Sequence, residues 1–225
     1  MNTVDDDDLN LLSKEVFAAV GPARIASVSL LYAQSRLGQG ARDGDEVSQD
    51  MLMMSANRLR MAHAMVTTDF PDRMTSARME IGQSVQTKLA AVVQSLETFG
   101  PIVTQAKISA PQICAFLSSQ PDLSAHCFET MEPAINGFLD ATNKELADAQ
   151  LQRSRAQFER ATEAVSQVQR IGTSIRMVAI NASVEAARAG DAGAGFGVIA
   201  SETQALATQM AGLMVQIEQS LTAQG

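Results

Sequence analysis

Three observations predict an all-α protein. Ala, Met, Gln, Glu, Ser and Leu dominate a 225-residue chain with 46% apolar residues, only 4% aromatic residues and no Trp. Ala lets helix backbones approach and Met fills irregular gaps. Val and Ile recur at helical spacing, and no alternating run marks a strand. After Pro133 no further proline occurs, and the C-terminal part steps in sevens. The expectation is a helical bundle over residues 1–132, followed by a long antiparallel coiled-coil hairpin over 133–225.

Breakers set the order of elements. Gly21-Pro22 separates a short amphipathic helix, about 9–19, from a second, about 22–37. The stretch 38–46 is a loop by composition. A third helix is predicted over about 46–68, with Met51, Met54, Leu59, Met61 and Met65 crowding one side. The sequence Phe70-Pro71-Asp72 should end it, leaving Asp72 to cap a helix over about 73–98. Gly100-Pro101 stops that helix. Pro111, Pro121 and Pro133 break 101–132 into short helices. Pro133 suits a first helical turn, and residues 134–189 then read as one helix of over fifty residues, roughly 80 Å long. A helix of that length needs a partner along most of its course.

Charge and composition exclude several functions. A net charge of −8 argues against a nucleic-acid partner, which would call for a basic patch. Half of that charge sits in Asp5–Asp8, a solvated acidic start to the first helix. The run lacks the spaced ligands and glycine turn of a Ca²⁺ loop. Two cysteines, Cys114 and Cys127, make no disulfide framework. No uninterrupted apolar run approaches the length of a membrane span, and the N-terminus lacks the basic start of a secretory signal. A cytoplasmic protein is therefore expected. His63, and His126 beside Cys127, match no standard spacing for a metal or haem. Ser, His and Asp are too dispersed for a triad. No cofactor and no enzymatic activity are expected.

The C-terminal part carries the informative pattern. Ile199, Thr203, Leu206, Met210, Leu213 and Ile217 step by alternating fours and threes. Before the glycines, Leu151, Phe158, Val165 and Gly172 share one seven-residue spacing, and Ala161, Val168, Ile175 and Ala182 share another. Met177, Ile180, Val184 and Ala187 stripe a neighbouring face. Apolar coverage this wide fits a multi-helix bundle better than a two-stranded coil, and a hairpin alone would leave much of it exposed, so a homodimer is expected. Glycines then cluster at 190, 193, 195 and 197. Gly190 and Gly195 have phosphate-loop separation, but Phe196 and Gly197 stand where Lys and Ser/Thr belong. The better fit is a tight turn near 190–193. Gly190 suits the left-handed cap, Asp191 is placed to cap or neutralise the amides that follow, and Gly193, Gly195 and Gly197 admit the returning helix.

The run Ile180–Ala207, reading INASVEAARAGDAGAGFGVIASETQALA, closely resembles the cytoplasmic hairpin tip of methyl-accepting chemotaxis proteins. A weaker resemblance extends over roughly 160–225. It implies a hairpin that dimerises into a four-helix bundle and whose tip contacts a histidine kinase and a coupling protein. Asn181, Glu185, Arg188, Asp191, Phe196, Val198 and Glu202 match tip positions. By that resemblance Glu185, Arg188, Phe196 and Val198 lie among contacts between dimers. The surface around Asn181, Asp191 and Val198 lies toward the coupling protein and kinase. Arg176, Ala194 and Gln204 depart from the family pattern, which leaves a structural or adaptor role as the alternative to kinase control. Glu145 is a lone acid expected in solvent, so methylation is not expected. The N-terminal region would supply the sensory or partner-binding function.

Overall fold

The computed structural model describes residues 6–38 and 47–222, and side chains over 9–38 and 47–221. The predicted loop at 38–46 therefore lies, from residue 39 on, outside the described residues, as do Asp5 and the side chains of Asp6–Asp8. Every regular element described is helical. The chain divides into two compact units, Met1–Gln150 and Leu151–Gly225.

The first unit is a bundle of short helices: α1 (Asp6–Val20), α2 (Pro22–Gly38), α3 (Gln49–Ala64), α4 (Phe70–Ser76), α5 (Gln83–Glu97), α6 (Gly100–Thr104), α7 (Ala110–Ser118) and α8 (Leu123–Ala125), with the start of α9 (Glu132–Arg188). Pro133 opens α9, and the division between the units falls inside that helix, at Gln150. Ile135, Phe138, Leu139 and Leu146 of α9 belong to the same core as Leu12, Val16, Leu30, Leu52, Leu59, Leu96, Ile113 and Leu117. Alanine makes the closest packing possible: Ala23, Ala26 and Ala33 of α2 and Ala56 and Ala62 of α3 are all fully buried, and α2 and α3 are the most extensively paired helices. Phe70 meets Phe138 edge to face, with ring centroids 5.4 Å apart, the arrangement that aromatic quadrupoles favour.

Phe70-Pro71-Asp72 does not end a helix. The chain passes from α3 through a π turn, Met65–Asp69, directly into α4. Proline lacks an amide and its ring crowds the carbonyl four residues back. The widened turn meets both demands, because Phe70 donates its amide to the Met65 carbonyl five residues back. The same solution recurs at His126–Met131, where Glu132 donates to the Cys127 carbonyl just ahead of Pro133. Asp72 consequently lies in the first turn of α4 rather than capping a helix. The following helix, α5, starts only at Gln83. Between them Arg78 takes a left-handed φ of 52°. Its amide bonds to the Thr75 carbonyl and that of Met79 to the Met74 carbonyl, closing α4 as a glycine usually would.

Glu145 is not an isolated solvated acid. Its carboxylate accepts the amide of Gly82, the residue that caps α5, at 2.8 Å. Further polar ties hold α9 to the N-terminal helices: Arg24 donates to Asn136 at 2.5 Å and Ser13 to Asn143 at 3.2 Å.

The expectation about apolar runs needs a correction. Across the Gly21–Pro22 break, Leu9–Gly38 is long and apolar enough by length and composition to cross a membrane. A core helix of a soluble protein passes the same test, and one whole face of this run is packed into the first unit.

Candidate functional site

The second unit is a helical hairpin. The outgoing arm is the remainder of α9, the bend is a 3-10 turn at Gly190–Gly193, and the returning arm is α10 (Ala194–Thr222). Gly190 has φ of +57°, a conformation that costs any residue with a Cβ. At Gly193 a Cβ would collide with the backbone carbonyl of Ala186, so this glycine sets how closely the arms meet. Gly197 faces the Ala186 methyl with room to spare, and Gly195 faces open space. Close approach therefore demands glycine at Gly193 alone of the three. Asp191 is exposed and its side chain caps no amide in this turn; its backbone carbonyl accepts the Ala194 amide instead.

Burial along the hairpin follows a strict period. Gly172, Ala179, Ala186, Gly193, Ala200 and Ala207 are the buried positions among its described residues, each seven after the last, and the period runs unbroken through the turn. All six are glycine or alanine. The arms thus close on small residues, and Gly172 lies against the Met210 side chain, whose Cε is 2.6 Å from where a Cβ would stand.

The large apolar residues lie elsewhere. Ile199, Leu206, Leu213 and Ile217 are exposed, as are Ile171, Ile175 and Val178. Ile171, Ile175 and Val178 line one side of a shallow apolar groove with Thr203 opposite. Of the stripe of the returning arm, Met210 reaches Gly172 and Thr203 borders the groove, whereas Ile199, Leu206, Leu213 and Ile217 do not join the arms within one chain. Small side chains allow the shortest distance between axes, and the bulkier stripe is rotated to the flank.

All seven tip residues are exposed: Asn181, Glu185, Arg188, Asp191, Phe196, Val198 and Glu202. Arg188 and Glu185 pair at 2.8 Å, three residues apart on one helix face, a surface ion pair of small energetic weight. No contact joins the other five to one another among the bonds described. Phe196 is 71% exposed and does not pack inside the turn. Arg176 lines the opposite groove with Gln169, Thr173, Ala211 and Val215.

Among the described residues no three of His, Cys, Asp and Glu come together to form a metal cluster. His126 bonds through Nε2 to the Ser95 carbonyl at 2.8 Å and packs its ring against Phe99. Burial pushes the Cys127 thiol up to about 11, against a smaller opposing effect of its hydrogen bond with Ser27. These groups have structural partners.

Comparison with known proteins agrees with this geometry. Residues 134–224 match the family described as the methyl-accepting chemotaxis protein (MCP) signalling domain, a longer stretch than the tip motif alone. Methyl-accepting chemotaxis protein CtpL of Pseudomonas aeruginosa is 39% identical over 83 residues, 34% of this chain and 12% of that protein. Amb0994 of Paramagnetospirillum magneticum is 51% identical over 47 residues, 21% of this chain and 11% of its own length. PcaY of Pseudomonas putida is 27% identical over 159 residues, 67% of this chain and 29% of its own length. The matched chain thus spans less than a third of each of these relatives. No solved structure matches. With a small-residue hairpin and a left-handed glycine at its bend, residues 134–224 of this chain match the methyl-accepting chemotaxis protein signalling-domain family.

Proposed function

We propose that this protein is a non-catalytic, cytoplasmic signal transducer. Its hairpin pairs with that of a second copy to complete a four-helix bundle, and its tip engages a histidine kinase and coupling-protein complex. The observation that carries this reading is the division of labour along the hairpin. Glycine and alanine are spent on joining the arms, while Phe196, Val198, Ile199, Leu206 and Leu213 all face outward. An isolated hairpin would leave that apolar surface in water, and a second copy removes it. The tip residues Asn181, Glu185, Arg188, Asp191, Phe196, Val198 and Glu202 form the proposed contact surface, with Gly190, Gly193, Gly195 and Gly197 forming the turn. Residues 1–132 form the sensory or partner-binding part. A state change there would reach the tip as a small shift in helix packing. The relatives' chemotaxis names support a role in a chemosensory pathway.

The experiment is reconstitution of the full chain with the kinase and coupling protein of its own organism. Co-sedimentation and a changed phosphorylation rate are the expected outcome, both lost in Phe196→Ala. Arg176, Ala194 and Gln204 favour a second reading, an adaptor that keeps the hairpin for oligomerisation only. Kinase binding that appears only after these three residues are replaced by the family's residues would decide for it.

A further inference from the structure

The α1–α2 run has a second face that the fold does not use. Its inner face is built on two seven-residue series, Leu9, Val16, Ala23, Leu30 and Leu12, Ala19, Ala26, Ala33, and all eight residues are buried. Because both series pass through Gly21–Pro22 without losing step, the two helices keep one phase. The outer face has its own series of sevens. Leu11, Ala18, Ile25 and Tyr32 form one, and Lys14, Gly21, Val28 and Ser35 the other. Apart from Gly21, every member is exposed. Leu11, Ile25, Val28 and Tyr32 are each at least half exposed, as is Phe17 on the flank, whose ring closes over Gly21.

A helix that is apolar on every side is normally covered on every side. A narrow seam on two positions in seven is the pattern by which one helix meets another. A lipid surface would instead favour a broad apolar face bordered by many basic residues, and this stripe offers Lys14 alone. Charge selects the direction of the partner. Parallel pairing of two copies would set Lys14 on Lys14. Antiparallel pairing about Ala23 sets Lys14 beside Tyr32, Ala18 beside Val28 and Ile25 on the Phe17–Gly21 surface. An ammonium over a tyrosine ring is favourable.

We infer that the outer seam Leu11–Ala18–Ile25–Tyr32 is a second self-association surface, on which the same helix run of another copy packs antiparallel. This surface is separate from the hairpin pairing proposed above and does not depend on it.

Disulfide trapping in the full chain tests it, with Cys114→Ser as background. Lys14→Cys chains mixed with Tyr32→Cys chains are expected to cross-link to each other, and Lys14→Cys chains alone are not. Ile25→Glu should abolish the cross-link with circular dichroism and melting unchanged, since that side chain is 62% exposed. Leu206→Glu, on the hairpin, should leave the cross-link intact. Cross-linking of Lys14→Cys chains alone would overturn the antiparallel arrangement. Absence of any cross-link in folded protein, or its loss in Leu206→Glu, would overturn the surface itself. So would co-sedimentation with phosphatidylcholine vesicles that Ile25→Glu removes.

Discussion

The Glu145 carboxylate holds the Gly82 amide at 2.8 Å, tying the fourth turn of α9 to the start of α5 across 63 residues of sequence. A helix start offers unpaired amides and a positive partial charge, so an anionic acceptor there substitutes for a local cap. Glu145→Ala should cost about 1–2 kcal/mol of stability, and Glu145→Gln less, because the amide oxygen still accepts. A Cβ at residue 82 would displace the same carboxylate. Urea titrations of Gly82→Ala, Glu145→Ala and the double variant should therefore be sub-additive. Full additivity would mean that the bond contributes nothing.

Three glycines of the hairpin should respond in three ways. Gly193→Ala meets the Ala186 backbone, which cannot move aside, and should cost about 2–3 kcal/mol. Gly190→Ala forces an L-residue into left-handed φ and should cost about 1 kcal/mol. Gly195→Ala meets nothing within 4 Å and should be neutral or stabilising by up to about 1 kcal/mol. Thermal melts of the full chain would rank them, and a Gly195 variant worse than the Gly193 variant would contradict this account of the turn.

Arg78 offers the opposite case. It is exposed and holds φ of 52°, where glycine is at ease. Arg78→Gly should raise stability by about 0.5–1 kcal/mol, read as a higher urea midpoint with an unchanged slope.

The thiols should separate by reactivity. Cys127 is buried and its pKa of about 11 leaves almost no thiolate at pH 8, whereas Cys114 is half-buried. Ellman's reagent at pH 8 should modify one thiol per native chain, assigned to Cys114 by Cys114→Ser, and two in denaturant. Raising the pH toward 11 should accelerate the second thiol, because its reactive form is reached only there.

Much of this arrangement was legible in the sequence wherever the determinant is local. Gly190 marks the bend because one residue type suits that φ, and the prolines at 111 and 121 divide the short helices. The hairpin seam was not legible from hydrophobicity. Pattern reading selects Ile199, Leu206 and Leu213, whereas the arms join through Ala179, Ala186 and Ala200, which are too small to stand out. Phe70-Pro71 reads as a stop unless a widened turn is admitted. Glu145 looks solitary because its partner, Gly82, is remote in sequence. The seven tip residues were found by their motif, and their exposure is what a contact surface requires. Exposure by itself does not name the partner.

The widened turns ahead of Pro71 and Pro133 bear on how this chain tolerates changes in length. Each π turn holds one residue beyond what a uniform α ladder needs. Deleting a residue of α9 between Gly172 and Ala186 would swing every later side chain of that arm by about 100° around the axis and break the buried sevens of the hairpin. A deletion between His126 and Met131, combined with Pro133→Ala, would restore the ordinary ladder and leave every position downstream in phase. The helix absorbs the spare residue locally, and it marks the place where the chain can lose a residue without losing its fold.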